Sequence, residues 1–399
     1  MFSIFREKRI EWNAEDPACF WRAGAAGMDN ALDYVAWRGD IPFSFDGFNE
    51  IDMLVFAELV YGPLENFSHA YHVKPGKGPE LPSLFKTVYP KELPKKTSYV
   101  FKPRYDLWSM LESYPRFAGV KLDRFVSNFE PENDKQFAAA VFCCEFSGKK
   151  HAVVAFRGTD ATVTGWREDF DMAYKFPIPA QKDSIDFLNS VIGAGYDSIE
   201  LCGHSKGGNL AMYAAACCSR PSEIGYVYNF DGPGLQDSIF LSENWKSVRT
   251  RIRSFIPESS IIGMLLGRGT PPVVVKSDSK SIMQHNPFYW HVCGTRFVET
   301  EDTTVSSQFL DGTLHRFLDS CTLEQREILV RTAFQIVEVT GAERVKDIPK
   351  GLVKHLTKAR KIIAAIPEQD RKVISETLKI LVGSGSETAK LLLGKEEKS

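Results

Sequence analysis

Gly203-His204-Ser205-Lys206-Gly207 fits the pattern G-x-S-x-G. In that pattern a nucleophilic hydroxyl sits on a strained strand-to-helix turn, and its neighbours must be small for the chain to pass so closely. The flanks supply the required context: "SIELC" reads as an apolar strand ending before Gly203, and "GNLAMYAAACC" as an alanine-rich helix beginning after it. The N-terminus of such a helix puts partial positive charge where an oxyanion would form. A serine hydroxyl needs a base, and the base needs an orienting acid; in this chain order both follow the serine. The downstream histidines are His285, His291, His315 and His355. His285, in the loop "SDSKSIMQHNP", is the leading base, and His291, in the strand-like "FYWHVCG", is its alternative. Asp231, where "GYVYNF" gives way to "DGPG", is the leading acid, with Glu258 in "SFIPESS" competing. An Asp that merely shapes the turn before Gly232 is the other reading of that residue. The backbone N–H of Lys206 and that of Thr159, after the strand "VVAF", are the expected oxyanion donors. The Thr159 hydroxyl is expected to add a second bond to the same oxygen.

These residues need a scaffold, and the bulk composition allows one. The 399 residues are 43% apolar and 25% charged, which is an ordinary folding composition with enough chain for one elaborated domain or two. A formal net charge of −2 gives no basic field for phosphates, so no nucleic-acid partner is expected. No signal peptide and no apolar run of spanning length is visible, which implies a cytoplasmic protein. The eight cysteines include no C-x-x-C pair and read as small buried hydrophobes in a reducing compartment. No phosphate loop, metal-spacing motif or dinucleotide fingerprint occurs, so no cofactor is expected.

Residues 1–28 read as an N-terminal extension, 29–304 as an α/β domain and 305–399 as a C-terminal helical region. Within the middle region "FNEIDMLVFAELVYG" has one apolar helical face. The proline-rich stretch from Val73 to Thr97 reads as a long surface loop. "QFAAAVFCCEF" and "HAVVAF" read as a hairpin about the turn Ser147-Gly148-Lys149-Lys150, followed by the helix "SIDFLNSVIGAG", the strand "SIELC", the helix "GNLAMYAAACC" and the strands "GYVYNF", "RIRSFIP" and "PPVVVKS". That alternation implies a mostly parallel sheet covered on both faces. In the last quarter, Thr322 is positioned to cap a helix, Pro349 and Pro367 fall near helix starts, and Gly341 and Gly383 near helix ends.

"VAFRGTD" followed by Trp166, Asp169 and "CGHSKGGNLA" resembles the fungal-type class three lipases. The blocks "LDYVAWRGDIPFSFDGFNEID", "QFAAAVF", "FRGTDATVTGWREDFDMAY", "GHSKGGNLA", "NFDGPG" and "IIGMLL…VVVKS…QHNPFYW", in that order, resemble the Mbeg-like family of bacterial α/β hydrolases. The resemblance implies an α/β-hydrolase fold, Ser205 as nucleophile, and Thr159 and Lys206 at the oxyanion positions. Two departures stand out. Pro257-Glu258-Ser259-Ser260 holds no aspartate where the lipases carry one, and Lys206 replaces their leucine with a cation expected to be solvated or else to attract an anionic leaving group or head group.

The expected activity is cleavage of an ester or related acyl bond, in a small-molecule or lipid substrate, through an acyl-serine. The alternative is a non-catalytic α/β-hydrolase scaffold that binds without turnover. "KGLVKHLTKARKIIAAI" forms a basic amphipathic helix, which rests either on an anionic membrane surface or on the protein with a solvated face. Trp166, Phe170, Tyr174 and Phe176 either line an acyl pocket or pack in the core. Oligomeric state leaves no mark in the sequence.

Overall fold

Alternation along Lys135–Phe146 sets the architecture. Ala138, Ala140, Phe142 and Cys144 belong to one apolar cluster, and Phe137, Ala139 and Val141 to a second. A strand buried on both sides in this way is the centre of a three-layer α/β protein. The computed structural model describes residues 29–67, 71–89, 101–349, 353 and 355–396, and the expected extension at 1–28 lies outside them.

Eight strands form the sheet in chain order: Tyr71–His72 (β1), Lys121–Glu130 (β2), Lys135–Phe146 (β3), Lys149–Phe156 (β4), Ser198–His204 (β5), Val227–Phe230 (β6), Ile252–Pro257 (β7) and Val273–Val275 (β8). β1 to β4 pair antiparallel, and β4 to β8 pair parallel. Ser147 and Gly148 join β3 to β4 with φ of 53° and 72°. A two-residue hairpin turn of type I′ requires that left-handed pair. β2 is not legible in the sequence because it carries a buried charge: Asp123 accepts the N–H groups of Gly76 and Gly78 at 2.7 and 2.9 Å and the hydroxyl of Tyr196 at 3.0 Å.

The helices before the parallel strands are Ala31–Arg38 (α1), Glu50–Leu59 (α2), Leu81–Val88 (α3), Phe101–Met110 (α4) and Pro115–Ala118 (α5). α2 was expected to bury one face, yet every residue from Ile51 to Leu59 is buried, Asp52 and Glu58 included. Each acid has its cation: Asp52 meets Arg116 at 2.6 Å, and Glu58 meets Arg104 at 2.7 Å. α3 lies inside the stretch expected as loop. Its Pro82 occupies the first turn, where a missing N–H costs no hydrogen bond.

Between the parallel strands run Val163–Asp171 (α6), Pro179–Val191 (α7), Lys206–Cys217 (α8), Asp237–Phe240 (α9) and Glu243–Val248 (α10). After the sheet come Val305–Ser320 (α11), Leu323–Glu338 (α12), Leu356–Ala365 (α13) and Glu368–Glu396 (α14). Thr322 caps α12 in a reciprocal box with Gln325. α14 does not end at Gly383, because its packing on α11, with Arg316 Nη1 donating to Thr388 Oγ1 at 2.7 Å, outweighs the helix cost of about 1 kcal/mol for a glycine. Cys293 is disulfide-bonded, unlike the reduced set expected, while Cys143, Cys144, Cys202, Cys217, Cys218 and Cys321 are free. No helix among the described residues is long and apolar enough to cross a membrane.

Candidate active site

β5 ends at His204, α8 begins at Lys206, and Ser205 between them holds φ 60° and ψ −135°. A non-glycine residue there is strained, and the surroundings must hold it. They do so by close approach. A Cβ at Gly203 would stand 2.2 Å from the Gly207 backbone, one at Gly207 2.1 Å from the Phe156 carbonyl, and one at Gly208 2.0 Å from Asn229 Oδ1. The Ser205 N–H donates to the Phe230 carbonyl at 2.9 Å. The elbow is therefore wedged between β4 and β6.

Asp231 follows β6 with φ 49°, and its N–H donates to the Phe255 carbonyl at 2.8 Å. Its side chain is 1% exposed. Oδ1 accepts the Ser260 hydroxyl at 2.5 Å and the Gly263 N–H at 3.1 Å, while Oδ2 lies 2.6 Å from His285 Nδ1. A carboxylate only accepts, so this contact puts the ring proton on Nδ1 and leaves Nε2 basic. Glu258 lies 3.5 Å from Gln284 Nε2 and His291 pairs with Asp278 at 2.6 Å, so neither joins the His285–Asp231 pair. His315 sits on α11 beside Asp311. Ser205 and His285 line the same cavity, with no hydrogen bond joining the serine hydroxyl to the imidazole.

A buried polar set that sequence reading missed supports this arrangement. His204 Nε2 donates to the His285 carbonyl at 2.8 Å, and its Nδ1 is 3.0 Å from Glu58. Burial pushes the His204 pKa down against the pull of Glu58. Burial also opposes the charge on Glu58, but Arg104 and then His204 overcome it and hold the carboxyl at about 2. Arg104 stacks over the Tyr61 ring at 3.6 Å, and the Tyr61 hydroxyl accepts the Gly158 N–H at 3.0 Å. That clamps the loop after β4 against the elbow. The Thr159 and Lys206 N–H groups have no partner among the described residues.

The Thr159 hydroxyl, expected to face the same oxygen, is 2.6 and 2.7 Å from the carboxylate oxygens of Asp169, a stronger acceptor. Burial raises the Asp169 pKa to about 6, with Lys206 opposing. The folded state therefore retains a proton that the unfolded chain releases near pH 4, and stability falls as pH rises from about 4 to about 6. Asp169→Asn is expected to remove this component, on the order of 2 kcal/mol; urea unfolding of both proteins at pH 4 and pH 7 measures it, and parallel pH dependence would refute the assignment.

Lys206 is neither solvated nor aimed at a leaving group. Its ammonium is fully buried and donates to Glu168 at 2.7 Å, to the Gln136 carbonyl at 2.9 Å and to Gln136 Oε1 at 3.0 Å. Glu168 also accepts the N–H groups of Gln136 and Ala180 at 3.1 and 2.8 Å. These partners lie far away in sequence and carry no local signal.

The cavity has a volume of about 1010 Å³. Apolar side chains form much of its wall: Trp166 and Phe170 from α6, Ile262 and Leu265 after β7, Phe317 from α11 and Val330 from α12. Trp166 and Phe170 are 40% and 49% exposed, so they line this space and are not core residues. Among the described residues no cluster of histidine, cysteine and acidic side chains could hold a metal.

A parallel sheet with a serine elbow between β5 and α8 defines an α/β protein of hydrolase-like fold. The Mbeg1-like family model matches residues 111–335, and the chain belongs to that family. No curated protein matches the sequence. Among solved structures it is similar to M37 lipase (17% identity over 54% of this chain and 70% of that one, TM-score 0.31). It is also similar to the Rhizomucor miehei lipase propeptide complex (14%, 64% and 74%, TM-score 0.33) and to Lip2 lipase from Yarrowia lipolytica (14%, 44% and 70%, TM-score 0.28).

Proposed function

We propose that the protein is a serine hydrolase that cleaves an acyl ester through an acyl-serine, with Ser205 as nucleophile, His285 as base and Asp231 as acid. The observation that carries this reading is the 2.6 Å His285–Asp231 pair on the cavity that Ser205 also lines. Ser205 Oγ attacks the carbonyl carbon as its proton passes to His285 Nε2, and Asp231 stabilises the imidazolium. The N–H groups of Lys206 and Thr159 receive the oxyanion, aided by the N-terminal dipole of α8. Collapse expels the alcohol with the proton from His285. Water then attacks the acyl-serine, His285 takes its proton, and the acid leaves as Ser205 is reprotonated. The large apolar wall suits a long acyl chain, since each buried methylene contributes about 0.8 kcal/mol.

A fluorophosphonate probe is expected to label the wild-type protein at Ser205, and p-nitrophenyl esters are expected to turn over faster as the acyl chain lengthens. A wild-type protein that reacts no more than Ser205→Ala would sink the hydrolase reading. It would favour the second one, a non-catalytic amphiphile-binding scaffold, whose supporting observation is the missing Ser205–His285 hydrogen bond. Our proposal includes contact with an anionic membrane surface through α13. Leu356 and Ile363 there are 49% and 48% exposed beside the exposed Lys358, Arg360 and Lys361. Flotation with phosphatidylglycerol vesicles, and none with phosphatidylcholine vesicles, is the expected result.

A further inference from the structure

The cavity is not lined by apolar side chains alone. Three of its cations are already matched: Arg104 by Glu58 and Lys206 by Glu168, both at 2.7 Å, and Arg157 by Glu65. Arg326, Arg344 and Lys346 also line it, and none of them has a carboxylate within ion-pair distance among the described residues. The Arg326 guanidinium donates to the Ala173 carbonyl at 2.9 Å and to that of Leu318, and its Nε is buried without a partner. Neutral carbonyls fix the group in place and leave its charge uncompensated.

Arg344 and Lys346 are exposed, but their backbone is pinned beside the site. Thr162 pairs antiparallel with Arg344, the Val163 N–H donates to Glu343 at 2.9 Å, and the Val345 N–H donates to Ala161 at 3.1 Å. The two cations thus ride on a segment hydrogen-bonded to the loop that carries Thr159. Of the remaining carboxylates on the wall, Asp160 accepts the Thr162 N–H and hydroxyl and Asp169 faces Thr159 with Lys206 at 4.0 Å, and neither is within ion-pair distance of Arg326, Arg344 or Lys346.

We propose that Arg326, Arg344 and Lys346 bind the phosphate-class head group of an anionic amphiphile whose acyl chain occupies the apolar part of the cavity. This rests on the hydrolase reading for turnover, and it narrows the substrate to a phosphate-bearing acyl ester. Guanidinium groups suit phosphate oxygens because their planar donors bond two at once, and the partly buried Arg326 is screened less by solvent than the exposed Arg344 and Lys346.

Calorimetry with the full-length Ser205→Ala protein tests the subsite without catalysis. n-Dodecyl phosphate is expected to bind at least tenfold more tightly than n-dodecyl maltoside, with the advantage shrinking as salt rises. The double variant Arg344→Glu/Lys346→Glu is expected to lose at least tenfold in affinity for dodecyl phosphate. Lys77→Glu/Lys149→Glu, an equal charge change at exposed positions by the β3–β4 hairpin end, is expected to shift it less than twofold. Equal affinity for the two amphiphiles, or equal losses in the two double variants, would overturn the proposal. Inorganic phosphate binding as tightly as dodecyl phosphate would reduce the site to a simple anion site and overturn the amphiphile assignment. Selective dodecyl phosphate binding by a protein that never labels at Ser205 would leave the subsite standing and remove hydrolysis. Hydrolysis of neutral esters without phosphate selectivity would do the reverse.

Discussion

Ser205→Ala is expected to lower kcat on a p-nitrophenyl ester by about 10⁶-fold, and Asp231→Asn by about 10⁴-fold, with both proteins folded. The asparagine effect follows from the hydrogen bonds around the carboxylate. Ser260 and Gly263 both donate to Oδ1, so that oxygen must remain an acceptor after the substitution. The amide nitrogen then takes the Oδ2 position opposite His285 Nδ1 and presents hydrogens to it. The imidazole proton moves to Nε2, and the nitrogen that should take the serine proton can no longer accept one. Glu258→Gln, whose nearest side-chain partner is Gln284, is expected to change kcat by less than about threefold. Equal losses at Asp231 and Glu258 would reject Asp231 as the orienting acid.

The largest stability effect is expected at the ion pair beneath the elbow. Glu168→Leu takes away the 2.7 Å carboxylate and leaves the buried Lys206 ammonium with the two Gln136 oxygens and the more distant Asp169 at 4.0 Å, and is expected to destabilise the protein by about 3–5 kcal/mol. Lys206→Met in the same protein removes the buried charge that has lost its close partner and should recover most of that loss, because an apolar pair of similar volume does not have to be desolvated. Urea unfolding of both single variants and the double variant measures the coupling; a Glu168→Leu cost below about 1 kcal/mol would show that the pair does not hold the elbow. The same variants should lose activity beyond their loss of stability, since the Lys206 N–H is a proposed oxyanion donor and its side chain ties the first turn of α8 to β3 and α6.

What was legible in the sequence is what short-range sterics and periodicity control. The glycines around Ser205 announce a turn that only small residues allow, and the structure contains that turn. Strands alternating with helices announced the parallel sheet, the turn read at Ser147 to Lys150 the β3–β4 hairpin, which closes two residues tighter in the structure, and Thr322 the start of α12. β2 and α3 escaped because a charge satisfied by distant donors and a proline in a first turn look like loop.

Tertiary structure alone decided which polar groups meet. His285 and Asp231 are 54 positions apart, Lys206 and Glu168 38, and Tyr61 and Gly158 97. No local spacing encodes such pairs, because the free energy that selects them comes from burial and desolvation after the sheet has formed. The same holds for the cavity wall, where α11 and α12 supply Phe317 and Val330 more than a hundred residues after the elbow. The sequence by itself determined the elbow and the mostly parallel sheet; packing determined that Asp231 and not Glu258 holds the imidazole, and that Lys206 is a buried anchor and not a surface charge.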